Sequence, residues 1–174
     1  MNRLSSEMWG RLGDINLKLG NFADAAEAFG KGLAAADNLG GGEDARTWSN
    51  LGSALYSQYV ERVKELKEEK TKQSSSTEPN VNAEKAGDEE DDDVEVSAEK
   101  ERASAQRDPS TLLSQALSAF KRGASIAREN WRIWDNVLTL ASRLRPPAVA
   151  DMILALQSII KIRKTEDTLD GCRW

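Results

Sequence analysis

The sequence predicts an all-α protein, a solenoid of about three stacked helical hairpins in which the second hairpin is interrupted. Three observations predict it. Tryptophans open three similar strings, Trp9-x-x-Leu12-Gly13, Trp48-x-x-Leu51-Gly52 and the degenerate Trp134-x-x-Val137-Leu138. Small and aromatic residues then recur at fixed spacing, Ala25, Phe29 and Gly32 in one unit and Ala116, Phe120 and Gly123 in another. Apolar positions also step by three or four, the period of one helix face.

The first hairpin is expected over about Ser6 to Asp37. Its turn, Leu19-Gly20-Asn21-Phe22, ends one helix with a glycine suited to a left-handed cap and starts the next. W-x2-L-G followed by A-x3-F within about 34 residues is a tetratricopeptide signature. Its physical basis is steric: small residues let one helix approach its neighbour, while Trp, Leu and Phe fill the wedge between them. Gly13, Ala25, Gly32 and Gly52 are thus expected at helix contacts, and Trp9, Trp48 and Trp134 in the core.

A glycine-rich junction, Asn38-Leu39-Gly40-Gly41-Gly42, precedes the second unit, whose first helix opens at the acidic pair Glu43-Asp44. Trp48, Leu51, Leu55, Tyr59, Val63 and Leu66 carry that helix into a charged extension. Between Lys70 and Arg107 the chain has almost no large apolar side chains and cannot offset the entropy of ordering. A disordered acidic insertion is therefore expected over residues 67–108. Asp108-Pro109-Ser110 then signals a helix start, and Leu113, Ala116, Phe120 and Gly123 supply the missing second helix. Tyr56 and Leu113 are 57 residues apart where Leu17 and Phe22 are 5 apart, so the insertion adds 52 residues. In the third unit Pro146-Pro147 stands at the turn, and Ala150 and Leu154 are expected in the small and aromatic slots of the last helix. The predicted organisation is repeat one and the first helix of repeat two over 1–66, the insertion over 67–108, the rest of repeat two and repeat three over 109–164, and a tail over 165–174.

Charge is unevenly spread. Glu61 to Asp108 holds 16 acidic and 9 basic residues, a net −7 against −5 for the whole chain, so the remainder carries +2. That leaves no broad basic face to neutralise phosphates, which argues against nucleic acid as a partner. A single cysteine, Cys172, forms no internal disulfide and points to a reducing compartment. No apolar run approaches the roughly 18 residues of a membrane span, and the N-terminus lacks a signal-peptide core. A soluble, intracellular protein without a membrane partner is the expectation. Histidine is absent, removing the commonest general base and metal ligand. No catalytic residue, metal ligand or cofactor site is assigned. A hydrolase using paired carboxylates would need acids of fixed geometry, and here they gather in the insertion.

Several features have bland readings. The run Asp88 to Asp93 lacks the spaced ligands and glycine turn of a calcium loop and reads as a solvated tether. Ser75-x-x-Glu78 fits an acidophilic kinase only weakly. Cys172 has no histidine or ligand companion, and its tail is not a prenylation motif. Trp131 is expected at a repeat junction, and Trp174 is unexplained.

DARTWSNLGSALY (44–56), ENWRIWDN (129–136) and RLRPPAVADMILALQSIIKIR (143–163) resemble the eukaryotic tetratricopeptide repeat domain twenty-seven family, and the acidic insertion resembles that of its fungal members, named as essential for maintenance of the cell wall. The resemblance covers roughly 120 residues. It implies the cytoplasm, with the nucleus as an alternative, and a longer protein of which this chain is a fragment. The apolar last helix, Met152 to Ile162, is expected to leave a face open at the end of the stack, with Ile159, Ile160 and Ile162 as an assembly surface for a missing repeat, a second copy or a partner.

Tetratricopeptide stacks bind extended segments or helices on a concave groove lined by their first helices. Spacing places Asp14 and Lys18, then Arg46, Asn50 and Ser53, then Arg132, Asn136 and Arg143 on that groove. Many co-chaperone repeats clamp a terminal carboxylate there. Gly10 and Asp14 hold the unit-one positions of that clamp and Asn136 replaces its last cation, so at least two donors are lost and no carboxylate clamp is expected. The expected function is a non-catalytic adaptor or scaffold whose partner is a protein or peptide segment. The alternative is a structural segment of a longer solenoid, or a self-assembling element that uses the last helix.

Overall fold

The computed structural model describes residues 3–37, 44–74 and 108–170. They form six helices and, among the described residues, no strand: α1 Arg3–Leu19, α2 Phe22–Asp37, α3 Ala45–Ser74, α4 Pro109–Ile126, α5 Trp131–Arg143 and α6 Val149–Asp170. Each helix packs chiefly against its neighbours in chain order, and α1 also touches α3. The protein is all-α, as its periodicity predicts.

Local chemistry sets the helix ends. Gly20 takes a φ of 83° and its N–H bonds to the Leu17 carbonyl at 3.3 Å, closing α1 with the left-handed cap that a glycine adopts without strain. Asp44 caps α3, accepting from the Arg46 N–H at 3.1 Å and the Thr47 N–H at 3.3 Å. Asp108 caps α4, with Pro109 in the first turn, and Asn130 caps α5 by accepting from the Arg132 N–H.

The predicted close approaches are present. A Cβ on Gly13 would lie 2.6 Å from the Phe29 ring, and one on Gly52 would lie 2.7 Å from the Phe120 ring. Gly32 faces the Trp9 Cβ, and Gly123 faces the Ala45 carbonyl, so both hairpins are antiparallel and fastened at two levels. Two apolar clusters result. Ala25, Phe29 and Ala54 join α2 to α3, with Leu17 and Leu51 against them. The larger cluster runs from Leu113, Ala116 and Phe120 on α4 through Ile133, Trp134, Val137 and Leu140 on α5 to Ala155 and Ile162 on α6. Trp134 is buried there, and its indole N–H donates to the Arg128 carbonyl. Trp9 and Trp48 are only half-buried.

Three expectations need correction. The stretch 67–74 belongs to α3, which runs to Ser74: Glu and Lys dominate it without Gly or Pro, and these are strong helix formers. The tail likewise begins inside α6, which ends at Asp170. The third correction concerns the face of α6. Ala150 and Leu154 are exposed, whereas Ala155 is fully buried, Ile162 is 9% exposed and Ile159 packs against the cluster. The small slot therefore falls 17 residues after Leu138, where 12 separate Gly13 from Ala25. The longer turn through Pro146-Pro147 takes up the difference. Of Ile159, Ile160 and Ile162, only Ile160 remains exposed, so these three do not form a common outer surface. The junction glycines, Ser75, the acidic run, Cys172 and Trp174 lie outside the described residues, as does most of the expected insertion.

Candidate protein-binding face

Helical spacing gathers the predicted groove residues into stripes. Asp14 and Lys18 lie four apart on α1; Arg46, Asn50 and Ser53 follow at steps of four and three on α3; Arg132, Asn136 and Arg143 are four and seven apart on α5. Cross-helix contacts tie one stripe to the next. The Asn50 side-chain amide donates to Asp14 Oδ1 at 2.8 Å, and the Arg46 guanidinium reaches Asp14 Oδ2 at 3.5 Å. Farther along α3, the Tyr56 hydroxyl accepts from Arg143, whose guanidinium also sits 5.3 Å from the Tyr56 ring centre. Tyr56 in turn stacks on Tyr59 with ring centres 5.9 Å apart.

These contacts divide the eight candidates. Arg46 and Asn50 converge on Asp14, and Arg143 is held by Tyr56. Ser53 donates back to the Ser49 carbonyl at 2.9 Å, which leaves its oxygen to accept. Arg132 lies 5.7 Å from the Trp131 ring centre, and Arg163 of α6 approaches the same ring at 4.9 Å. Trp131 itself packs against the large cluster at the α5–α6 junction. Lys18 and Asn136 are exposed. Tyr56 joins this face through Arg143, and the spacing argument passes over it. Its signal is its place three residues beyond Ser53, at the edge of the same stripe.

The face carries four cations, Lys18, Arg46, Arg132 and Arg143, against the carboxylate of Asp14. Asp14 is engaged by Arg46 and Asn50, so the charge left for a ligand is positive. Guanidinium and amide donors in that arrangement match carboxylates and backbone carbonyls. Among the described residues no group of three or more acidic or cysteine side chains is placed to hold a metal ion, and no helix is long and apolar enough to cross a membrane.

A separate cleft of about 1140 Å³ opens between α2, α3 and α4, with Phe22, Ala26, Leu51, Leu55 and Leu112 among its lining. None of the eight groove candidates lines it. Trp48 does, and its buried indole N–H has no partner among the described residues.

Comparison of the chain with protein-family models, curated proteins and solved structures found no match.

Proposed function

We propose that the chain is a tetratricopeptide-type solenoid of three hairpins and acts as a non-catalytic adaptor or scaffold, holding an extended acidic protein segment along the α1–α3–α5 face. The observation that carries this reading is the joining of three polar stripes into one face by the Asp14–Asn50 and Arg143–Tyr56 contacts. The repeated Gly13–Phe29 and Gly52–Phe120 approaches support the repeat assignment. Stacked helices would offer a preorganised surface, so binding would cost little ordering on the protein side. The single cysteine supports a reducing, cytoplasmic setting.

The test is fluorescence anisotropy with a panel of labelled extended peptides that vary in acidic content. Acidic members bind, and Asn50→Ala and Arg132→Ala each weaken binding about tenfold, since a hydrogen bond to a charged group is worth roughly 1.5–3 kcal/mol. Lys64→Ala, on an exposed part of α3, leaves it unchanged. Equal effects from all three substitutions, or no binding across the panel, would remove the groove reading.

A further inference from the structure

The cleft between α2, α3 and α4 follows one stripe of α3. Trp48, Leu51, Leu55, Gln58, Arg62 and Glu65 line it at steps of three and four residues, the spacing of a single helix face. At roughly 1.5 Å per residue the stripe runs about 26 Å. Its first half is apolar and its second half polar.

Packing leaves the apolar half open. Leu51 packs against the smaller cluster and Leu55 against the larger, so the cleft lies at the seam between the two. Both α2 and α4 pack on α3 but scarcely on each other, and the seam is therefore not closed. Phe22, Leu51 and Leu55 remain half-buried along it. Apolar side chains brought in by a partner would complete their burial and join the two clusters.

The charge of the lining is one-sided. Asp24, Glu27, Glu61 and Glu65 stand against Arg62 alone. Arg62 donates to Glu65 at 3.0 Å, and Glu27 pairs with Lys31 from outside the cleft. Asp24 and Glu61 are exposed and have no ion-pair partner among the described residues. Carboxylates accept hydrogen bonds and donate none, so this pair selects a cation. The α1–α3–α5 face has the opposite surplus, with Lys18, Arg46, Arg132 and Arg143 against Asp14.

We propose that the cleft is a second docking site whose occupant is a basic amphipathic helix of a partner protein. Phe22, Leu51 and Leu55 match large apolar side chains repeating at steps of three and four on one face of that helix. Asp24 and Glu61 match Lys or Arg beside them. A lining built from three helices and rich in acceptors offers no free backbone edge and few donors to the carbonyls of an extended chain, whereas a helix satisfies its own. The trough accommodates roughly five turns of such a helix. Nucleic acids and anionic lipid surfaces are repelled by the same carboxylates.

Fluorescence anisotropy with three labelled peptides of about 18 residues, roughly the length of the trough, tests it. The first peptide carries Leu and Phe along one helix face and Lys elsewhere; the second has the same composition with that face scattered; the third keeps the apolar face and replaces Lys by Glu. The first binds, and the other two bind at least about tenfold more weakly. Asp24→Asn with Glu61→Gln weakens the first peptide about fivefold, the worth of two exposed ion pairs. Asp24→Lys with Glu61→Lys moves the preference to the third. Asn50→Ala and Arg132→Ala leave the first peptide unaffected, so the cleft and the α1–α3–α5 face stand or fall separately. The proposal is overturned if the first peptide does not bind, if either of the others binds as tightly, or if the Asn–Gln pair leaves its affinity unchanged. Circular dichroism checks the fold of each variant; should the Lys pair lose helicity, the isosteric Asn–Gln pair decides alone.

Discussion

The Phe120 ring lies against the backbone of Gly52 so closely that an added Cβ would meet ring carbons at 2.7 Å, inside any normal contact distance. Phe29 holds the same position over Gly13, at 2.6 Å. Both rings are buried, so neither can swing aside. Glycine stands at these two sites because α3 and α4, like α1 and α2, approach to within one ring's thickness.

Gly52→Ala should therefore destabilise the protein. Overpacking costs about 1–3 kcal/mol, against a helix-propensity gain of at most roughly 1 kcal/mol. Gly10→Ala should do the opposite: it is within α1 with nothing inside 4 Å of its Cβ position, so the propensity gain stands alone. Urea unfolding midpoints compare the two. If both variants move the midpoint upward, the close approach at Gly52 does not limit packing.

The Asp14–Asn50 bond should couple α1 to α3 more strongly than the Asp14–Arg46 pair does. The first is a part-buried, charge-assisted bond at 2.8 Å, and the second is an exposed pair at 3.5 Å. Double-mutant cycles with alanine should give a coupling of about 1 kcal/mol for Asp14 with Asn50 and less than about 0.5 kcal/mol for Asp14 with Arg46. Equal couplings would mean that the face is held by charge alone and would depend on salt.

Acid should act on the α2 surface at a defined place. Lys31 holds the Glu27 carboxyl below its ordinary value of 4.5, first by hydrogen bonding and then by its charge. A depressed carboxyl favours the folded state above the unfolded pKa and loses that contribution as pH falls through the lowered value. The effect is thus confined to acid below about 4.5, and with no histidine in the chain none is expected near neutrality. Carbon-detected titration of Glu27 should show a midpoint that rises in Lys31→Met; an unchanged midpoint would mean that the pair is not formed in solution. Lys31 also sits 4.9 Å from the Trp9 ring centre, so the same variant loosens α1 on α2.

The parts of the fold legible in the sequence are those governed by local contacts. Gly13, Ala25 and Phe29 locate the first hairpin because a small residue and a ring must face each other at fixed spacing, and Gly52, Ala116 and Phe120 do the same across a long insertion. The face of α6 was not legible, because apolar residues surround that helix on nearly every side and no period singles out the inner stripe. The Pro146-Pro147 turn then added residues that motif spacing could not count. The reach of α3 to Ser74 escapes the sequence for a different reason: low hydrophobicity alone points to disorder, although Lys and Glu sustain a solvated helix without a core. At the candidate site, spacing placed Arg46 and Asn50 on one stripe. The convergence of both on Asp14 depends on how α1 approaches α3, which single-helix periodicity does not contain.

The register of α6 gives the sharpest remaining contrast, because Ala150 and Ala155 are the same residue five positions apart on one helix. Ala155 is fully buried between α5 and α6 partners in the large cluster, while Ala150 is exposed. Ala155→Leu forces a larger side chain into filled space and should cost about 1–3 kcal/mol. Ala150→Leu adds the same atoms at the surface and should stay within about 0.5 kcal/mol of the wild type. Spacing carried over unchanged from the first hairpin predicts the reverse order, with Ala150 at the contact. Thermal or urea unfolding of the two variants decides between the registers. A larger loss at Ala150 would place Leu154 inside and turn the exposed face of α6 toward the core.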